Sequence, residues 1–206
     1  MSFFPKSSSP EFFPDPDHLD GRRPAVFALG SNVGDSERHL VRALGALAER
    51  FGPLRIASPY RSAPVSPIAQ DDFLNTVAAV SLPPESSSLE TALRSTLAFA
   101  KSLEREAGRR DGPKDGPRPL DVDLLLWGEH RASFGPLDEP AGEDRWPGPV
   151  EVPHPRMRRR RFVLDPLVEI LPDLELPTGE RAVDLLAETL DQRVVRGSWR
   201  KPFRSR

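Results

Sequence analysis

The chain has 206 residues, 37% of them hydrophobic, with 24 prolines, no cysteine and a formal net charge of −2. Without cysteine there is no disulfide framework, thiolate zinc site or cysteine nucleophile, and no apolar run is long enough to cross a bilayer. The charge balance gives no reason to expect a nucleic-acid partner, and the N-terminus lacks a basic region followed by an apolar stretch, so a soluble cytoplasmic protein is expected.

Residues 1–24 carry Pro, Ser and Asp without periodicity and read as a loose extension ahead of one folded domain at 25–195. Ala25-Val-Phe-Ala-Leu29 is a short apolar run ended by Gly30, which suits a buried strand. Asp35 or Ser36 can cap a helix with Leu40, Leu44 and Leu47 in its apolar stripe, stopping near Gly52. Leu54 to Tyr60 reads as a second strand, Arg61 to Asp72 as a loop, and Phe73 to Val80 as a third strand. Ser87 or Ser88 starts a long helix with Leu89, Leu93, Leu97 and Leu103 near one face, ending at Gly108. A polar loop, Arg109 to Pro117, leads to a fourth strand, Leu120 to Trp127. The order β-α-β-β-α-β predicts an α+β fold: a ferredoxin-like antiparallel sheet with both helices on one face. Residues 130–149 read as an inserted surface loop, Phe162 to Leu171 and Val183 to Leu190 as C-terminal helices, and 196–206 as a basic, solvated tail.

The fourth strand carries the first chemical signal. Side chains alternate along a strand, so Asp121 and Asp123 share a face with Cα atoms roughly 6.5–7 Å apart, while Leu120, Val122 and Leu124 point into the core. Two carboxylates side by side on an apolar strand repel one another and resist desolvation, and a divalent cation between them removes both costs. With oxygen ligands and no thiolate, Mg2+ shared with phosphate oxygens is the natural candidate. A D-x-D pair alone is better explained by an exposed sheet edge. Arg109, Arg110, Lys114 and Arg118 in the preceding loop add the cations that a polyphosphate needs, although the same composition fits a solvated loop.

Five ordered segments sharpen the reading. Lys114-Asp-Gly-Pro-Arg-Pro-Leu-Asp-Val-Asp-Leu-Leu125 resembles the signature of the 6-hydroxymethyl-7,8-dihydropterin pyrophosphokinases. Ala28-Leu-Gly-Ser-Asn32, Tyr60-Arg-Ser-Ala-Pro64, Phe73-Leu-Asn75, and Val152-Pro-His-Pro-Arg156 followed by Phe162-Val-Leu are similar to further segments of that family, in its order. The resemblance runs from about Ala25 to about Leu176.

That resemblance implies diphosphate transfer from ATP, as co-substrate, to 6-hydroxymethyl-7,8-dihydropterin, giving AMP in folate biosynthesis. It assigns two Mg2+ ions to Asp121 and Asp123, and phosphate binding and transfer to Arg110 and Arg118. ATP contacts are implied for Glu104, Arg109, Lys114, Leu124 (through backbone), His154, Pro155 and Arg160. Pterin contacts are implied for Ser62, Ala63 and Val65 along a loop, for Phe73 and Phe162 as stacking walls, and for Asn75 as an amide on the ring edge. Taken alone, the two phenylalanines read as ordinary core and Asn75 as a tolerated polar residue. Asp115 stands where some members have a tryptophan, and the loop before Gly116 is one residue shorter than the family's usual length.

The element order also fits an RNA-recognition domain, but neither central strand has that domain's aromatic pattern, and Asp121 and Asp123 would repel phosphates without metal. A degenerate pterin- or nucleotide-binding member would have no need of the paired aspartates. The chain is too short to include a barrel-type partner domain, so other folate-pathway enzymes are expected as separate chains. No membrane partner is expected.

Overall fold

The computed structural model describes residues 24–82, 87–110, 112–113, 115–137 and 145–200. The extension expected at 1–24, apart from Pro24, lies outside the described residues, as do Lys114, the middle of the insertion at 138–144 and the end of the tail at 201–206.

The central strand is β1 (Ala25–Ser31), apolar on both faces and therefore buried almost throughout. It is followed by α1 (Ser36–Phe51), which Asp35 caps by accepting from the Arg38 amide and Gly52 ends at φ +99°. The expected second strand is split into β2 (Arg55–Ile56) and β3 (Tyr60–Ser62). The break has a local cause: Pro59 has no amide to give to a ladder, and the Ser58 amide turns away to the Glu169 carboxylate. Next come β4 (Phe73–Val80), then α2 (Leu89–Glu106), capped by Ser88, and β5 (Asp121–Trp127).

All pairings in the main sheet are antiparallel, in the order β5-β1-β4-β3-β8, where β8 is Val194–Arg196, with β2 also on β4. The α+β class and the antiparallel sheet expected from the element order are present. Strand alternation divides the apolar residues into two layers. Phe27, Leu29, Leu74, Ala78, Val122 and Leu124 pack with α1 and α2 on one face. Val26, Val77, Ala79 and Leu125 pack on the other with α3 (Arg161–Ile170) and α4 (Ala182–Ala187). The site belongs to this second face, where α3 leaves one end of the strands open.

Glu169 fastens α3 to the sheet edge. Its carboxylate accepts from the Ser58 hydroxyl at 2.8 Å, the Tyr60 hydroxyl at 2.7 Å and Arg196 at 2.6 Å. Burial, and then the carboxylate itself, push the Tyr60 hydroxyl up, so it remains a donor.

Two regions differ from the sequence expectation. The described parts of the 130–149 insertion are not a free surface loop: β6 (Ala132–Phe134) pairs with β7 (Val150–Val152), and Phe134 and Trp146 pack against the core. Arg94 of α2, fully buried, clamps the insertion by donating to the carbonyls of Gly135, Trp146 and Gly148 at 2.7, 3.1 and 2.8 Å, while Glu90 balances its charge. The boundary drawn between domain and tail at 195/196 falls inside β8 (Val194–Arg196), which extends the sheet along β3. Trp199 then donates to the Ala57 carbonyl, and Arg200 pairs with Glu37 at the start of α1, so composition alone misread this part of the tail as merely solvated.

Replacing Arg94 by methionine keeps much of the apolar stem but leaves three part-buried carbonyl bonds and Glu90 without their donor. The expected loss is about 3–5 kcal/mol of unfolding free energy. Urea unfolding followed by circular dichroism reads it directly.

Candidate active site

Cross-strand register brings the chemistry together. Gly30 pairs with Asn75 on one side and with Asp121 on the other, and Ala28 pairs with Asp123. One strand over, Ser62 pairs with Phe73. These residues therefore line one cleft on the α3 face, closed at the far wall by Phe162 and Val163. Gly30 leaves room for the Asn75 amide: a Cβ there would come within 3.2 Å of Asn75 Oδ1, and the amide would have to give way. The Asn75 amide is oriented by donating to the Ser62 hydroxyl at 3.0 Å and to the Tyr60 carbonyl at 3.3 Å.

Each aspartate is matched with an arginine, and each of those arginines lies over an aromatic wall. Arg118 reaches Asp121 at 3.0 Å and sits 5.9 Å from the Phe73 ring centroid. Arg160 stands 3.6 Å from Asp123 and 5.5 Å from the Phe162 ring centroid. Arg109 adds a second cation to Asp121 at 2.6 Å. Burial pushes the Asp121 carboxyl up, but Arg118 and Arg109 outweigh it and hold the group below the ordinary carboxylate range. Burial, and then the charge of Arg156, lower the Arg160 guanidinium.

His154 is placed by its backbone amide, which donates to the Leu125 carbonyl at 2.8 Å. Its Nδ1 accepts from the Arg156 amide, which leaves the proton of the neutral ring on Nε2, 3.9 Å from Asp123. Burial holds its pKa below the ordinary value, against the pull of Asp123.

The six residues expected to contact a pterin, Ser62, Ala63, Val65, Phe73, Asn75 and Phe162, all line this cleft, together with Asp121, Asp123, Arg118 and Arg160. Pro155 lies in an adjoining groove rich in arginine that shares Val65, Asp115 and Arg160 with the cleft. Other expected residues sit elsewhere. Glu104 is buried, accepts from the Val122 amide at 2.9 Å and pairs with Lys101 and Arg109, so it braces β5 and aims Arg109. The Leu124 side chain points into the α1–α2 layer, leaving only its backbone near the site. Arg110 is exposed and lines neither cleft nor groove, and Lys114 lies outside the described residues.

Two polar residues behind the cleft's loops had no role assigned from sequence. Asn32 donates through Nδ2 to Gln70 Oε1 and to the Asp71 carbonyl, and its Oδ1 accepts from the Arg118 amide at 2.8 Å. Gln70 in turn donates to the Asp115 carbonyl at 3.0 Å. This chain of amides ties the loop before β4 to the arginine loop before β5. Asn32 had a signal, as the last residue of the Ala28–Asn32 segment; Gln70, in an aperiodic loop, had none.

Among the described residues no cluster of three or more His, Cys, Asp or Glu could hold a metal ion by itself. Asp121 and Asp123 nevertheless fit a hard divalent cation that completes its shell from phosphate and water, as Mg2+ commonly does. Paired carboxylates, converging guanidinium groups and flat apolar walls around one cleft define a group-transfer enzyme acting on a polyanion and a planar co-substrate.

Comparison with known proteins is specific. The family model described as 7,8-dihydro-6-hydroxymethylpterin-pyrophosphokinase (HPPK) matches residues 26–172, and the chain belongs to that family. It is 38% identical over 165 residues to a Pseudomonas aeruginosa protein named 2-amino-4-hydroxy-6-hydroxymethyldihydropteridine pyrophosphokinase, covering 78% of this chain and 88% of that one. A Haemophilus influenzae protein of the same name is 31% identical over 174 residues, covering 84% and 96% respectively. An Arabidopsis thaliana folate synthesis bifunctional protein is 36% identical over 150 residues, which are 71% of this chain but 23% of that one. A Plasmodium falciparum HPPK-DHPS structure with pterin and p-hydroxybenzoate shares the fold at a TM-score of 0.60 and 11% identity, over 86% of this chain. The chain spans less than half the length of that structure, at 46%.

Gly30→Ala is expected to displace the Asn75 amide and cost about 1–2 kcal/mol, because the added methyl must be accommodated between two packed strands. A lower urea midpoint with an unchanged m-value is the expected result.

Proposed function

We propose that this protein transfers the diphosphate of ATP to 6-hydroxymethyl-7,8-dihydropterin and releases AMP, a step of folate biosynthesis. The observation that carries this reading is the double match of aspartate, arginine and aromatic wall: Asp121 with Arg118 and Phe73, Asp123 with Arg160 and Phe162. A flat ring between the walls lies next to the groups that neutralise phosphate. The fold, read more finely, is a ferredoxin-like core with the α3–α4 layer added, and we place the protein in the cytoplasm. Among the described residues no helix is long and apolar enough to cross a membrane.

In this reading Phe73 and Phe162 fix the plane of the pterin, and Asn75, whose amide hydrogens go to Ser62 and Tyr60, offers its Oδ1 acceptor to the ring edge. Ser62, Ala63 and Val65 close the ring's remaining side. Two Mg2+ ions held by Asp121 and Asp123 would supply charge neutralisation on the ATP phosphates and a lowered pKa for the attacking hydroxyl. The chain's own cations do the rest. Arg118 and Arg160 shift from carboxylate to phosphate oxygens, Arg109 is aimed by Glu104, and Pro155 borders the nucleotide along the groove, with Arg110, Lys114 and His154 as its further contacts. The Leu124 backbone borders the adenine.

The pterin's hydroxymethyl oxygen bonds to the β-phosphorus, the bond from that phosphorus to the oxygen bridging to the α-phosphorus breaks, and AMP leaves with the bridging oxygen. The hydroxyl proton passes to solvent. No side chain is needed as a covalent nucleophile; positioning and preorganised charge lower the barrier. Relatives fused to a second folate activity place that activity in the same chain, as their names state.

The test is AMP release from ATP and Mg2+, with and without the pterin, for the wild type and Asp123→Ala. Pterin-dependent AMP that drops by at least about a hundredfold in the variant, and disappears with EDTA, is the expected result. ADP in place of AMP would sink the diphosphate-transfer reading. No turnover, with pterin binding that tightens in the presence of an ATP analogue, would mean a binding protein.

A further inference from the structure

Three arginines lining the groove beside the cleft face carboxylates. Arg158 pairs with Glu180, Arg160 approaches Asp123 at 3.6 Å, and Arg156 reaches Asp115 at 3.4 Å. The third pair is unlike the others. Asp115 lines both the cleft and the groove, so its carboxylate stands where a polyphosphate would run from one to the other. Asp123 is on the strand assigned to the metal and Glu180 lines neither space, whereas Asp115 is an anion left in the path of an anionic ligand.

Its position is built by the backbone. Asp115 is held at φ +57°, a region that residues other than glycine seldom enter and that Asp and Asn tolerate best. The turn is tight: the Gly116 amide donates to the Pro113 carbonyl, and a Cβ on Gly116 would meet that same carbonyl at 3.0 Å. Gln70 fixes the Asp115 carbonyl from the opposite loop. The direction of the side chain therefore follows from the turn, and it delivers the carboxylate to Arg156.

Resting on the reading of the groove as a nucleotide site, we propose that Asp115 is an intramolecular competitor for nucleotide phosphate, holding Arg156 until the ligand's phosphates displace it. The pair is suited to exchange. Its side chains are 32% and 53% exposed, so the contact is weak and screened. A phosphate offers more charge and two oxygens to the guanidinium fork. Once displaced, Asp115 remains beside the polyanion and repels it. Both effects lower nucleotide affinity, so this residue sets how readily the nucleotide is bound and released.

The test is binding of α,β-methylene-ATP with Mg2+, an analogue blocked at the bond that breaks, to the wild type, Asp115→Asn, Arg156→Gln and the double variant. Asparagine keeps the left-handed turn, so the fold is preserved. Asp115→Asn is expected to bind about two- to fivefold more tightly and to show a smaller kcat where product release is slow. Arg156→Gln is expected to bind at least about fivefold more weakly, and the Asp115→Asn gain is expected to shrink in its background to the part due to repulsion alone. An unchanged or weaker affinity for Asp115→Asn overturns the proposal. So does an equal gain in both backgrounds, because that would be general repulsion and not competition for Arg156. If the wild type itself does not bind the analogue, the nucleotide-site reading fails along with it; if only the Asp115→Asn gain is missing, that reading stands.

Discussion

The two-residue period of β5 is the constraint on which the rest of the site depends. Val122 and Leu124 are buried against α1 and α2, so Asp121 and Asp123 have to emerge on the opposite face of the sheet. A slip of one residue would bury both carboxylates among apolar helices, at a desolvation cost no fold of this size could carry. The hydrophobic layer thus protects the register of the charged one. Because β1 is paired on both sides, the same register fixes Gly30 and Asn75 relative to Asp121.

Around that row the protein keeps its charges in provisional pairs. Asp121 is satisfied by Arg118 and Arg109, Asp123 by Arg160 with His154 nearby, and Arg109 by Glu104 as well. These contacts stabilise a cluster that would otherwise place like charges together, and each has a better partner in a metal ion or a phosphate. The strands hold these charged groups in position, and the three aspartate and glutamate carboxylates are matched by three arginines. The amide chain from Asn32 through Gln70 to Asp115 serves the same end, holding two loops to the sheet by neutral hydrogen bonds that no ligand charge disturbs.

Much of this was legible in order. The helix from Ser36 ends at Gly52 because a periodic apolar stripe ran out where a residue free to take positive φ stood, and both facts are written locally. The strand from Phe73 was equally plain, being apolar and bounded by Asp72 and Pro83. Less was legible where a residue's role depends on distant partners. Glu104 looked like a nucleotide contact and is a buried brace between α2 and β5. The proline- and glycine-rich insertion looked like surface and is clamped by Arg94, whose spacing on a helix shows nothing about the three carbonyls it meets.

The sequence by itself determined the elements, the face on which Asp121 and Asp123 stand, and, through five ordered segments, the family. These are properties of period, of turn chemistry and of local residue identity, which need no partner to be expressed. Tertiary structure alone decided which arginine faces which aspartate, that Phe73 and Phe162 line the same cleft, and that Asp115 meets Arg156. Arg118 and Arg109 reach Asp121 from nearby in the chain, but Asp115 and Arg156, like Phe73 and Phe162, come together from about 40 to 90 positions apart. Only the packing of α3 on the sheet and the closure of the loops bring such distant side chains within reach of one another.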